Sequence, residues 1–213
     1  LAIKKSSNEI IIQIDDDIYF YHDSLEQLYN YYIKNKNNKI IVSSFLIYED
    51  GNHVSYRFNN YFKYKIIKLI YFLLTGKLKL SDMSLTLSGR IIPKLDLKKI
   101  NENKYEWLSS LIIYKKQSYF DATHLDVDGK GYYEDVFFTY SLMLKGYDLK
   151  IARNSVAKIE KKKITGLLTY FKIIPIQLKF VKKFKKSITL LILDLIIFMF
   201  IHLLISLFKI FKK

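Results

Sequence analysis

Residues Glu9–Ile14, EIIIQI, run directly into three consecutive aspartates, Asp15, Asp16 and Asp17. No other stretch limits the fold so tightly. An apolar run of that length, rich in β-branched residues, is too short for a stable helix and reads as a buried strand, in a parallel sheet. Three adjacent carboxylates repel one another, so the strand must end where water or a cation reaches them. The following residues extend the pattern. Asp23-Ser24 offers an N-cap ahead of Leu25, Leu28, Tyr29 and Tyr32 on one helical face. Lys39–Tyr48 is the next strand, closed by the turn Glu49-Asp50-Gly51-Asn52. Strand, acidic loop, helix, strand is α/β order, and ligands in open α/β sheets bind at the carboxyl ends of strands.

Beyond this unit, Tyr61–Leu74 reads as an apolar, aromatic helix that covers the sheet or touches a membrane surface, and Ser81–Ile92 as extended chain. Leu108–Tyr114 is a second buried-strand candidate, directly after Trp107. A polar loop over 121–132 leads into a helix over Glu134–Lys145, with Gly146 at its C-cap. Leu149–Ile151 and Val156–Ile159 are short strands.

Charge divides the chain. The net charge of +15 is uneven: residues 1–160 hold 23 Lys/Arg against 19 Asp/Glu, and residues 161–213 hold 12 Lys against the single acid Asp194. The expected organisation is a catalytic domain over 1–160, a basic juxtamembrane segment over 161–187 and a transmembrane helix over 188–208. That last stretch is 21 residues with only Asp194 and His202 ionisable, and at helical rise it spans roughly 31 Å, the thickness of a bilayer core. A buried helix of a soluble protein is the other reading. Lys179, Lys182, Lys183, Lys185 and Lys186 precede it and Lys209, Lys212 and Lys213 follow, so the heavier flank puts the catalytic part on the cytoplasmic side. Basic residues beside an apolar span suit anionic lipid. No nucleic-acid partner is expected, because no recognition motif appears and the globular part is near neutral. The absence of cysteine excludes disulfides, thiolate zinc sites and cysteine nucleophiles. The chain starts at Leu1, and the expectation is a fragment whose beginning is missing.

Three constellations bear on chemistry. Asp15–Asp17 offers hard oxygen ligands for Mg²⁺ or Mn²⁺, which in turn binds a diphosphate; a solvated acidic turn capping the next helix explains it equally well. Glu134-Asp135 opens a helix, where acids are ordinary partners of the macrodipole, yet either carboxylate is also a fit general base. Trp107, the only tryptophan, is a core residue or a flat wall for a sugar ring.

In order, these segments resemble the family 2 glycosyltransferases of the GT-A fold. "AIKKSSNEIIIQIDDDIYFYHDSLEQL" is similar to the family's stretch through a strand into the DxD motif. "WLSSLIIYKKQSYF" resembles its acceptor-side Trp segment, and "GYYEDVFFTYSLMLKGYDLKIARNSVAKI" its Glu-Asp helix and following strand. The resemblance covers about residues 2–160. It implies an α/β, Rossmann-like GT-A partial domain that moves a sugar with inversion from a nucleotide-sugar donor to a glycan or lipid-linked acceptor. On that resemblance Asp15 and Asp17 bind a divalent cation, Asp15 and Asp16 contact the donor, and Trp107 lines the acceptor pocket. Asp135 is the catalytic base and Glu134 supports it. The chain departs from the family where Ser110 replaces a frequent glycine and where Lys158, Ile159 and Glu160 stand in place of a histidine. It also lacks the Gln/Arg-rich Trp motif of processive synthases, which implies transfer of single sugars.

Overall fold

The computed structural model describes residues 2–35, 37, 39–48, 51, 83–89, 91–92, 104–109, 111–124, 133–160 and 167–211. The expected helix over Tyr61–Leu74, most of the 121–132 loop and the turn residues Glu49, Asp50 and Asn52 lie outside them. Helices are α1 (Ala2–Lys5), α2 (Ser24–Lys34), α3 (Lys116–Asp121), α4 (Glu134–Leu144), α5 (Leu167–Lys183) and α6 (Ile188–Phe211). Strands are β1 (Ile10–Gln13), β2 (Ile18–Phe20), β3 (Ile40–Tyr48), β4 (Ser84–Leu85), β5 (Ile91–Ile92), β6 (Ile112–Lys115) and β7 (Asp148–Ile159).

The main sheet has the order β1-β6-β3-β7-β2, and β4 and β5 form a separate hairpin. Among the described strands β3 and β7 run parallel, whereas β1–β6, β6–β3 and β7–β2 are antiparallel. The sheet is therefore mixed, and β1 is a half-buried edge rather than the buried parallel strand that its composition implies. An isoleucine run shows that a strand forms; which strands flank it is decided by pairings a hundred residues away.

Side-chain alternation along the central strands builds two cores. Ile41 of β3 and Ile112 and Tyr114 of β6 face α4 and α5, joining Val136, Phe137, Ile176 and Phe180. Ile40, Val42 and Ile113 face the other way, onto Leu28 and Tyr32 of α2. The sheet thus lies between α2 on one side and α4 with α5 on the other. Leu25 and Tyr29, expected on the buried face of α2, are exposed.

The two short strands expected over 149–159 are one strand. Its register against β3 shifts between Ser44 and Phe45, whose partners are Ala152 and Val156. The extra residues turn Ser155 inward, where its hydroxyl meets Ser44 Oγ at 2.6 Å and donates to the Ser24 carbonyl at 2.8 Å. That bulge ties the start of α2 to the sheet. Helix α4 ends as expected: Gly146 has φ +80°, and the amides of Gly146 and Tyr147 return to the carbonyls of Met143 and Leu142 at 3.0 and 3.1 Å.

The basic segment folds onto the domain. Ile176, Phe180 and Val181 of α5 are buried, while Lys182 and Lys183 stay in water. Helix α6 begins against the β4–β5 hairpin, the Ser187 amide donating to the Leu87 carbonyl at 3.0 Å. One turn on, Leu191 and Asp194 are buried, and Ser88 Oγ donates to Asp194 Oδ2 at 3.2 Å. Among the described residues no helix is long and apolar enough to cross a membrane, so the span expected over 188–208 finds no support there. A carboxylate docked on a serine of the domain accounts for Asp194, which reads as an anomaly inside a lipid span.

Candidate functional site

The aspartate triplet links the two edge strands of the sheet. β1 ends at Gln13, opposite Ile112, which lies opposite Ser43 in the middle of β3. β2 starts at Ile18, opposite Ile159, which lies opposite Tyr48 at the end of β3. Asp15, Asp16 and Asp17 therefore pass the carboxyl halves of β3 and β7, the end of an α/β sheet where ligands bind. Asp15 and Asp16 are exposed and Asp17 is half-buried.

Asp135 approaches the same region from α4. Gln13, at the end of β1, accepts a hydrogen bond from the Tyr114 hydroxyl at 3.0 Å, and the Tyr114 ring packs on Phe138 of α4 at 5.0 Å. One turn before Phe138 on that helix is Asp135. Its own Oδ1 accepts the Val136 amide at 2.8 Å. Burial pushes its carboxyl up to about 7, and the charges of Asp15 and Glu134 add to that rise, against the Val136 bond, which lowers it. The two acid groups thus share one electrostatic neighbourhood. Glu134, next door, is exposed.

The turn that delivers Asp135 is strained. Tyr133, the N-cap of α4, has φ 70° and ψ 8°. A tyrosine in this left-handed region costs on the order of 1–3 kcal/mol, which surrounding contacts must offset. Its carbonyl accepts the first helical bond from the Phe137 amide at 2.9 Å.

Trp107 is 6% exposed and belongs to the core beneath α4. Its Nε1 has no hydrogen-bond partner among the described residues. The segment around it is stitched to the first turn of α4: the Leu108 amide donates to Thr139 Oγ1 at 3.1 Å, and Thr139 Oγ1 donates to the Asp135 carbonyl at 2.7 Å. Sequence reasoning gave no role to Glu106, whose carboxylate accepts the Leu85 amide at 2.7 Å and so fastens the β4–β5 hairpin to this segment. An acid flanked by two buried aromatics, Tyr105 and Trp107, was the available signal.

Among the described residues no three His, Cys, Asp or Glu side chains converge as a metal cluster. A magnesium-type ion needs fewer, since it takes one or two carboxylates with substrate phosphates and water. An exposed Asp15 and a half-buried Asp17 at a water-accessible turn fit that donor set. A shallow cleft of about 350 Å³ lined by Ser7, Glu9 and Lys116 lies at the opposite end of β1 and includes none of the expected residues.

The sequence matches no protein-family model. It matches no curated protein either. Among solved structures, one similar chain is GalNAc-T7, crystallised with UDP, GalNAc and Mn²⁺, at 11% identity and a TM-score of 0.47. The match covers 76% of this chain and 30% of that chain, so this chain spans under a third of that protein's length.

Proposed function

We propose that this chain carries the acid groups of a metal-dependent glycosyltransferase of the GT-A type, which moves a sugar from a nucleoside-diphosphate donor to a hydroxyl acceptor. What supports the reading is that Asp15, beyond the end of β1, lies close enough for its charge to act on the buried carboxyl of Asp135. Asp15 sits at the exit of an early strand and Asp135 opens a helix, and the charge of one raises the pKa of the other. Such a pair separates two tasks. The water-accessible aspartates attract a cation, and the desolvated one keeps a proton affinity near neutrality, where a general base works best.

Asp15 and Asp17 would hold the divalent cation, and Asp16 would meet the donor. Held there, a divalent cation would supply positive charge against the departing nucleoside diphosphate. Asp135 takes the acceptor hydroxyl's proton as its oxygen attacks the anomeric carbon opposite the leaving group, so configuration inverts. Glu134 orients the acceptor at the mouth of the site. Trp107 acts from beneath, as the packed floor of the acceptor side.

We further place the protein at the cytoplasmic face of a membrane. Ile192, Ile196, Met199 and Phe200 leave an exposed apolar stripe on α6, with Lys182, Lys183 and Lys185 exposed just before its start. An apolar stripe beside clustered lysines suits an anionic headgroup layer. A lipid-linked or growing surface glycan is the acceptor class within reach there.

The test is turnover of a panel of UDP-, GDP- and CDP-sugars by the full chain, with Mg²⁺ or Mn²⁺ and lipid extract as acceptor. Transfer that disappears in Asp135→Asn while donor binding persists supports the reading. Nucleotide delivered onto a phosphate acceptor instead would replace it with nucleotidyl transfer.

A further inference from the structure

Behind the strained turn at Tyr133 stands a buried amide. Gln177 of α5 is 4% exposed, and its Nε2 donates to the Tyr133 phenol oxygen at 2.7 Å. Phe180, nearly one turn further along α5 and fully buried, meets the Tyr133 ring edge-on at 6.1 Å and the Phe137 ring at 5.1 Å. Helix α5 therefore grips both the N-cap of α4 and its first turn. Gln177 does so at a cost. Its Oε1 is buried without a partner among the described residues. An apolar side chain of the same volume would fill the space without burying an unmatched acceptor. What an apolar side chain could not do is hold the phenol.

We propose that Gln177 is a positioning residue for Asp135: its bond to Tyr133 fixes the left-handed turn, and that turn aims the carboxyl two residues later. The importance of the aim rests on the reading of Asp135 as the base. A peptide rotation at residue 133 moves the whole first turn, so a side chain at 135 swings by far more than the tolerance of a proton transfer. Among the described residues the charged groups acting on Asp135 are Asp15, from the strand exit, and Glu134, beside it. Gln177 is neutral and acts on it only through geometry.

The experiment is a carbonyl-carbon NMR titration of the full chain with labelled aspartate, the Asp135 signal assigned by its absence in Asp135→Asn. Gln177→Met and Tyr133→Phe each remove the bond with little change of volume. Both are expected to lower the Asp135 midpoint by about one unit, as the loosened carboxyl gains water. The double variant should shift no further than either single, since both cut the same link. Unchanged midpoints in two folded variants overturn the proposal. With whichever sugar nucleotide the wild type consumes, kcat should fall about tenfold at constant donor KM. If the wild type consumes none, the glycosyltransferase reading falls, while the titration still decides whether Gln177 positions Asp135.

Discussion

Asparagine at position 135 should make the protein more stable at pH 8 and change its stability little at pH 4. The folded carboxyl is held at about 7, against an ordinary value of 3.8 in the unfolded chain. Between these limits the folded state binds the extra proton. Stability therefore falls as pH rises from about 4 to about 7, the reverse of the usual behaviour of a paired carboxylate. Above pH 7 both states are ionised and the whole penalty is present. A shift of that size corresponds to at most about 4 kcal/mol. Water reaching the half-buried carboxyl reduces it, so about 2–4 kcal/mol is the expected gain from Asp135→Asn at pH 8. In a chain of this length that is a rise of about 5–15 °C in Tm. The assay is thermal and urea unfolding of wild type and variant at pH 4, 6 and 8. A stability difference that ignores pH would refute the desolvation argument. So would a wild type more stable than the variant at pH 8. The same substitution should reduce transfer by about 100- to 10,000-fold, the range for losing a general base.

The other expectations follow from single contacts. Asp15→Asn should lower the Asp135 midpoint, because a like charge is gone, and NMR titration reads that shift directly. Gly89→Ala should destabilise more than Gly146→Ala. Both have positive φ, but a Cβ at Gly89 would stand 2.9 Å from Val181 Cγ2, whereas one at Gly146 meets nothing within 4 Å. The Gly146 change should therefore cost about 1 kcal/mol by urea unfolding, and equal effects would show that α5 does not press on the hairpin. Asp194→Ala removes the carboxylate that Ser88 Oγ bonds between hairpin and α6, leaving Ser88 only Thr86 Oγ1, at 2.6 Å, among the described residues; a loss of about 1–3 kcal/mol is expected, and proteolysis after Lys185 or Lys186 should accelerate as α6 detaches. Co-sedimentation should be stronger with anionic than with zwitterionic vesicles and weaken in salt; no lipid binding at all would remove the membrane from the account.

Local features were legible where local physics decides them. The isoleucine run made a strand and Gly146 ended a helix, because each depends on a few neighbouring residues; α2 does start at Ser24, but Asp23 makes no side-chain capping bond and the Ser24 hydroxyl bonds the Val156 carbonyl instead. Sheet order was not legible. β1 looks like a buried parallel strand and is an antiparallel edge, since its place depends on pairing with β6 about a hundred residues away. The residues after 161 were legible in part: the exposed Lys182 and Lys183 stand out in the sequence, whereas the packing of Ile176 and Phe180, one turn apart on α5, into the core does not. The candidate site was legible as acid clusters but not as a meeting place. Nothing local to either cluster shows that a tyrosine–phenylalanine contact brings α4 up to the end of β1. Gln177 was visible only as one polar residue in IIPIQLKF, and its role needs Tyr133 in three dimensions.

The central claim is that the acids leaving β1 and the acid opening α4 flank one space that holds a cation and a diphosphate. Paramagnetic broadening by Mn²⁺, with a nucleoside diphosphate present, measures it. The expected result is loss of the amide signals of Asp15–Asp17 and of Glu134–Val136 together, both restored by Asp15→Asn combined with Asp17→Asn. Broadening of the first group with sharp signals from the second would contradict it.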